Sequence, residues 1–460
     1  MPYLLNGIYL TLLLLAAPLL AWRSLRTGKY RQGWAAKFWG SVPMRTGDRP
    51  CVWLHAVSVG EVNLLRPLVD ELCRRHADWE LVISTTTRTG FELANTRYAG
   101  HTVFYSPMDF SWVVNRAMRR IRPSLLVLAE LELWPNLISA AKAHGARVAI
   151  VNGRLSERSF RGYRRLRPII ARLLARLDVV AVQNAEYAER FLALGAREQN
   201  VYVTGSIKFD GAATDRHNSA TLHMRALAGI EDDEVVFLAG STQEPEERLA
   251  IETYRQLANV YPRLRLILVP RHQERFEEVA RLLEESGLGW QRRTKLEESA
   301  ERTGAERTGN AGRGARSAER KTRQEHARVL LVDKIGELGA WWGAARAAFV
   351  GGSLGTRGGQ NMIEPAAYGA AVSFGPRTSN FRDVVAMLLA ADAAVVVRNG
   401  DELTAFIRQC LAEPDFAERL GQRAQRVVLA QLGATSRTID LLDSLLETTS
   451  PSQRVRRSAA

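Results

Sequence analysis

From Pro50 onward, short apolar runs alternate with helical stretches along the chain. CVWLHAV (51–57), ELVISTTT (80–87), HTVFY (101–105), SLLVLAE (124–130), ARVAIVN (146–152), DVVAVQ (178–183) and NVYVTG (200–205) read as strands. Helical segments separate most of them. The first carries Leu64, Leu65, Leu68 and Leu72 on one stripe. This alternation predicts a parallel, doubly wound sheet. A second set follows: EVVFLAG (234–240), LRLILVP (264–270), ARVLLVD (327–333), RAAFVGG (346–352), AAVSFG (370–375) and AAVVV (393–397). The fold class is α/β, with two Rossmann-like doubly wound domains over 50–215 and 234–430. The polar stretch 216–233 reads as the linker between them. After Gly400 only helices are expected, with a C-terminal helix and basic tail over 431–460.

The N-terminus follows another pattern. Residues 4–22 carry no charge, close to the length that spans a bilayer. Arg23, Arg26, Lys29 and Arg31 follow, and no Lys or Arg precedes. That asymmetry places the body of the protein on the cytoplasmic side. A cleaved signal peptide would carry its positive charge before the apolar run, and a buried or interfacial helix is the remaining reading. The expectation is a membrane anchor over 1–24 and a juxtamembrane segment over 25–49, with Trp22, Trp34 and Trp39 at the interface. Gln291 to Ala327 is polar, with ten Lys/Arg and six Glu, and reads as a disordered insertion.

Charge sharpens the picture. The 460 residues carry a net +14, which suits anionic lipid, nucleic acid or phosphorylated substrates. Eight arginines fall within 153–177, where Leu166, Ile169, Ile170, Leu173, Leu174 and Leu177 recur at helical spacing and should pack. A basic stripe beside a membrane anchor suits anionic headgroups or a phosphorylated lipid. No recognised nucleic-acid module accompanies it, so nucleic acid is not expected. Cys51, Cys73 and Cys410 are scattered without metal spacing, and the eight histidines form no HxxxH pair. Neither a metal site nor a disulfide framework is expected.

The most informative stretch is RAAFVGGSLGTRGGQNMIEPAAYG, from Arg346 to Gly369. It reads as a buried strand, a loop with five glycines, and a helix opening near Asn361. Glycines let backbone approach a ligand, and a helix start offers N–H groups to an anion. Glu364 in the first turn could accept hydrogen bonds from paired sugar hydroxyls. Together these suit a phosphate attached to a ribose, although a glycine-rich turn with a dipole-complementing Glu would look the same. The dinucleotide fingerprint is absent from the first strand.

Other loops fall at strand ends, where ligands bind in such sheets. In HAVSVGEV (55–62), Glu61 stands at a helix start, suited either to capping that helix or to removing an acceptor hydroxyl proton. LVLAELELWPN (126–136) ends a strand with Glu130 and Glu132, on one side if the extended run continues; burial would raise a carboxyl there, and ion pairing is the alternative. GSIKFD (205–210) offers Lys208 to a phosphate or carboxylate, unless it is a solvated loop lysine. Pro270 and Arg271 end a strand of the second domain, and Arg271 suits an anion. Ile335, Gly336 and Glu337 open another helix, where backbone could touch a base or ribose.

These motifs, in this order, resemble the 3-deoxy-D-manno-octulosonic acid (Kdo) transferases of lipopolysaccharide synthesis. HAVSVGE, ELWPN, GRLSERS, QN, GSIKFD, VPRH, FVGGS and GGQNMIEP carry the likeness from the N-terminus to about residue 430. The resemblance implies a metal-independent GT-B glycosyltransferase without cofactor, two domains facing a cleft, anchored in the inner membrane and facing the cytoplasm. It implies transfer of Kdo from CMP-Kdo to a tetraacylated, bisphosphorylated lipid A precursor. By position, Glu61 matches the proton acceptor, and Glu130 and Lys208 match residues that stabilise the transition state. Pro270, Arg271, Ile335, Gly336, Glu337, Asn361, Met362, Ile363 and Glu364 match the CMP-binding loops. Three departures are visible: Leu131 stands where the family usually has Thr, Gln360 where it usually has His, and the 291–327 insertion is extra. A GT-B transferase using a UDP-sugar donor is the alternative.

Overall fold

The structure, a computed structural model, describes residues 2–27, 32–298 and 327–447. Most of the expected insertion and the basic tail lie outside the described residues. The chain divides into two compact units, one of residues 1–211 with 431–460, the other of 212–430.

In the first unit, seven parallel strands form one sheet in the order β3-β2-β1-β4-β5-β6-β7. They are β1 Cys51–His55, β2 Glu80–Thr85, β3 Thr102–Tyr105, β4 Leu125–Ala129, β5 Arg147–Gly153, β6 Val179–Val182 and β7 Val201–Val203. Alternate residues serve opposite faces. Cys51, Trp53, Leu126 and Leu128 join one core, while Val52, Leu54, Leu125 and Val127 join the other. Both faces are apolar because helices cover both. Ser58, Thr87, Ser156 and Asn184 cap the following helices by accepting main-chain N–H groups, which fixes where each strand-to-helix turn ends. The helix Ala434–Glu447 belongs to this unit: Ile439 and Leu442 enter its core, and His76 Nε2 pairs with Asp443 at 2.8 Å.

In the second unit, seven parallel strands run in the order β10-β11-β9-β8-β12-β13-β14. They are β8 Val235–Thr242, β9 Leu264–Pro270, β10 Trp290–Arg292, β11 Val329–Leu331, β12 Ala347–Val350, β13 Ala371–Phe374 and β14 Ala394–Val396. The strand order reverses between β8 and β12, where doubly wound sheets bind ligands. The 216–233 stretch contains a helix, Ser219–Leu227, capped by Asn218 and packed on the helix Leu338–Trp342.

Two expectations need correction. The polar stretch from Gln291 begins as an edge strand, not as a disordered segment. Its Arg293 is 2% exposed because Glu297 and Glu337 neutralise the guanidinium. The arginine-rich stretch is two helices, Glu157–Arg165 and Arg167–Leu174, broken at Leu166. Pro168 sits at the start of the second, so the stripe rotates: Ile170, Leu173, Leu174 and Leu177 pack, while Leu166 and Ile169 stay exposed. The N-terminal helix runs Pro2–Thr27, with Pro18 inside it. Among the described residues, no helix is long and apolar enough to cross a membrane. Near its start the helix is tied to the first unit by polar contacts. Asn6 Nδ2 donates to Ser111 Oγ at 2.7 Å, and Tyr9 OH donates to Asp109 Oδ2 at 3.1 Å. Leu4, Leu12, Leu14, Leu15 and Leu19 are exposed.

Candidate active site

In the first unit the chemistry gathers at the carboxyl ends of β1, β4 and β5. Ser58 to Glu61 is a capping box: Ser58 Oγ accepts from Glu61 N at 3.4 Å, and the carboxylate reaches back. Glu61 Oε2 accepts from Val57 N, and Oε1 from Ser58 Oγ, both at 2.8 Å. The capping reading is therefore correct, and it also orients the carboxylate. Each oxygen takes one of these hydrogen bonds and keeps capacity for another. Burial pushes the Glu61 carboxyl above the usual range; the Val57 and Ser58 hydrogen bonds oppose this, and the charge of Glu130 adds to it. A carboxylate held this way is more basic than one in water.

Glu130 and Glu132 do not continue the strand, so alternation does not set their sides. β4 stops at Ala129, and Glu130 takes a left-handed backbone with φ 54°. That turn is held because Glu130 N donates to Val151 O at 3.0 Å. The Glu130 side chain meets Lys208, Oε1 to Nζ at 3.2 Å, with both about a third exposed. Glu132 Oε2 accepts from Trp134 Nε1 at 2.8 Å, and Trp134 stands edge-on to His55. Burial and the Glu61 charge together lift the Glu132 carboxyl to about 7, with Glu130 adding and Trp134 opposing. Glu61, Glu130 and Glu132 thus lie near enough for their charges to reach one another, and Lys208 joins them through Glu130. Burial and the neighbouring negative charges therefore favour the neutral form of Glu132.

Lys208 lies on the short turn Ile207–Phe209, which is pinned from two sides. Asn152, at the end of β5 with φ 54°, accepts from Ile207 N at 3.1 Å. Asp210 accepts from Gly433 N at 2.7 Å and from Thr435 N at 2.5 Å. Sequence reasoning singled out neither Asn152 nor Asp210; a polar residue at a strand's carboxyl end was the signal for the first, and nothing local marks the second.

In the second unit, Pro270 is buried at the end of β9, and Arg271 is exposed beyond it, its N–H donating to Thr242 O at 3.0 Å. Asn361 Nδ2 donates to Glu364 Oε1 at 3.0 Å, and Asn361 Oδ1 accepts from Ile363 N at 3.1 Å. Burial raises the Glu364 carboxyl, while the Asn361 hydrogen bond and the nearby Arg271 charge oppose it. Arg271 therefore lies near enough to Glu364 for its charge to reach the carboxyl. Met362 and Ile363 are buried in the core, so only their main chain can meet a ligand. Ile335 is exposed, Gly336 has φ 96°, and Glu337 is held by Arg293 Nε at 2.7 Å. The helix after Glu337 packs on the short helix Ile363–Ala367, which brings this turn beside the 361–364 segment.

The glycine-rich loop departs from the simple picture of bare amides. Gly352, Ser353 and Leu354 donate their N–H groups to Glu246, a residue the sequence reading passed over. No group of three or more His, Cys, Asp or Glu able to hold a metal ion occurs among the described residues.

A pair of doubly wound α/β units, one with a carboxylate–ammonium cluster and one with a glycine-rich loop beside Arg271 and Glu364, marks a two-domain glycosyltransferase. The profile described as "3-Deoxy-D-manno-octulosonic-acid transferase (kdotransferase)" matches residues 29–211. The 3-deoxy-D-manno-octulosonic acid transferase of Haemophilus influenzae is 32% identical over 450 residues, covering 95% of this chain and 98% of that protein. The enzyme of the same name from Bordetella pertussis is 35% identical over 412 residues, covering 86% and 87%. The chain belongs to the Kdo transferase family. The fold is shared more widely: the crystal structure of UDP-GlcNAc 2-epimerase from Neisseria meningitidis aligns with a TM-score of 0.55 at 13% identity, covering 86% of this chain and all of that one.

Proposed function

We propose that the protein transfers Kdo from CMP-Kdo to a tetraacylated, bisphosphorylated lipid A precursor, with inversion at the anomeric carbon. In this reading Glu61 takes the proton of the acceptor hydroxyl as its oxygen bonds to the anomeric carbon of Kdo. The bond from that carbon to the CMP phosphate breaks in the same step, and CMP leaves. Lys208, held by Glu130, offsets negative charge on the reacting groups. Arg271 and the 335–337 and 361–364 turns hold CMP, with Glu364 on the ribose. The observation that carries the proposal is the Glu61 carboxylate, raised by burial yet oriented by Val57 N and Ser58 Oγ, and near enough to the Glu130–Lys208 pair to feel the Glu130 charge.

The acceptor and the location form part of the same proposal. The basic helix Glu157–Arg165 has no buried residue and follows β5, so its arginines can meet lipid phosphates. The exposed leucines of Pro2–Thr27 suit attachment to the cytoplasmic face of the inner membrane, rich in anionic lipid. Release of CMP from CMP-Kdo tests the reading. It should require the lipid acceptor, and release that ignores the acceptor, or transfer from a UDP-sugar instead, would overturn it.

A further inference from the structure

Glu246 opens the helix Glu246–Ala258 behind β8 and is 1% exposed. Its Oε2 accepts from Gly352 N at 2.7 Å and from Gln243 N at 3.0 Å. Its Oε1 accepts from Ser353 N and from Leu354 N, each at 2.9 Å. Three successive amides of the glycine-rich loop therefore converge on one buried carboxylate. Convergent main-chain N–H groups at a strand end are the usual seat of a phosphate in sheets of this kind. Here the chain supplies the anion itself.

The fit around it is close. A Cβ on Gly351 would lie 2.7 Å from Glu246 Oε2, and Gly352 has φ 66°. Either residue replaced by one with a side chain would push the carboxylate out or strain the loop. Behind the loop, Ser353 Oγ donates to Val350 O at 2.6 Å and accepts from Gly375 N at 2.8 Å. The cradle cannot swing open to admit a second anion while Glu246 stays in place.

We propose that Glu246 determines donor specificity: it fills the amide cradle at 352–354 with a fixed negative charge and so confines the site to donors with one phosphate. The proposal rests on the reading that the donor is a CMP-linked sugar. A nucleoside diphosphate needs two anion positions. In this loop its second phosphate meets a carboxylate where N–H donors would otherwise face it, and like charges repel at that range. A nucleoside monophosphate needs only the place beside Arg271 and the 361–364 turn.

The test uses the full chain with Glu246→Gln and Glu246→Ala. In the first arm, thermal melting of Glu246→Ala is followed with and without acetate. Acetate should restore part of the lost melting temperature in the variant and leave the wild type unchanged; no response in the variant overturns the cradle. Two variants that stay unfolded in both media overturn it as well. In the second arm, CMP and CDP binding are measured by calorimetry. The wild type should prefer CMP, and Glu246→Gln should shift the CMP-to-CDP affinity ratio toward CDP by about tenfold. An unchanged ratio in folded variant overturns the specificity role. A wild type that prefers UDP to CMP overturns the donor reading instead, and does so whatever acetate does in the first arm.

Discussion

Glu61→Gln isolates the proposed proton transfer from the structural work of the same side chain. The amide keeps the shape of the carboxylate. Its Oε1 can accept from Val57 N, now at 2.8 Å from Glu61 Oε2, and its Nε2 can donate to Ser58 Oγ, whose hydroxyl turns to suit. The cap persists with one hydrogen bond reversed, so stability should change by about 1 kcal/mol or less. The chemistry does not persist, because an amide cannot take a proton. A positioned general base contributes about 10²–10⁴ in rate, or about 3–5 kcal/mol of barrier. The expected outcome is a fall of that size in kcat, with little change in KM for CMP-Kdo. The wild-type rate should also show an acid limb, since the Glu61 carboxyl is raised and must be ionised to act, and the variant should lose that limb. Kdo transfer to lipid followed across a pH series from acid to alkaline, together with thermal melting, reads both. A folded variant that transfers at the wild-type rate would refute the base assignment.

Glu132, lifted to about 7, favours its neutral form in the fold, so its contribution to stability is full below about 4.5 and lost as pH rises through 7. Glu132→Gln should match the wild type at low pH and exceed it by about 1–2 kcal/mol above neutrality, after discounting for partial exposure; equal melting at pH about 8 would contradict this. Lys208→Met should lower kcat by about 10²-fold with a small change in melting, because its pair with Glu130 is a third exposed; unchanged kcat removes Lys208 from the chemistry. Arg271→Ala should weaken CMP binding by about tenfold in calorimetry, through loss of a charge-assisted contact to phosphate, and unaltered affinity would place the nucleotide elsewhere.

The sheets were legible because their strands are apolar runs bounded by turn formers. CVWLHAV and LRLILVP announce β1 and β9 without help from the rest of the chain. The strand at Trp290–Arg292 was not legible: it is a three-residue edge, half-buried, in a run of charges whose neutralising partners lie elsewhere in the sequence. Glu61 stood out because a capping box is local, and four residues state it. Glu246 did not, since its carboxylate acquires meaning only from amides more than a hundred positions later. The turn at Glu130 shows the same limit from the other side. Alternation puts Glu130 and Glu132 on one face only while the strand lasts, and the strand ends at Ala129, where Glu130 turns left-handed. Asn152 and Asp210 hold Lys208 through contacts 55 and more than 220 residues apart, which no periodicity records.

Mass spectrometry of the lipid product tests the account most directly. Purified full-length protein is incubated with CMP-Kdo and the tetraacylated bisphosphate acceptor, beside a parallel reaction with UDP-sugars. The account predicts that the acceptor gains the mass of Kdo in the first reaction, with CMP formed in proportion, and gains nothing in the second. An acceptor that stays unmodified with CMP-Kdo, or is glycosylated from a UDP-sugar, would contradict it.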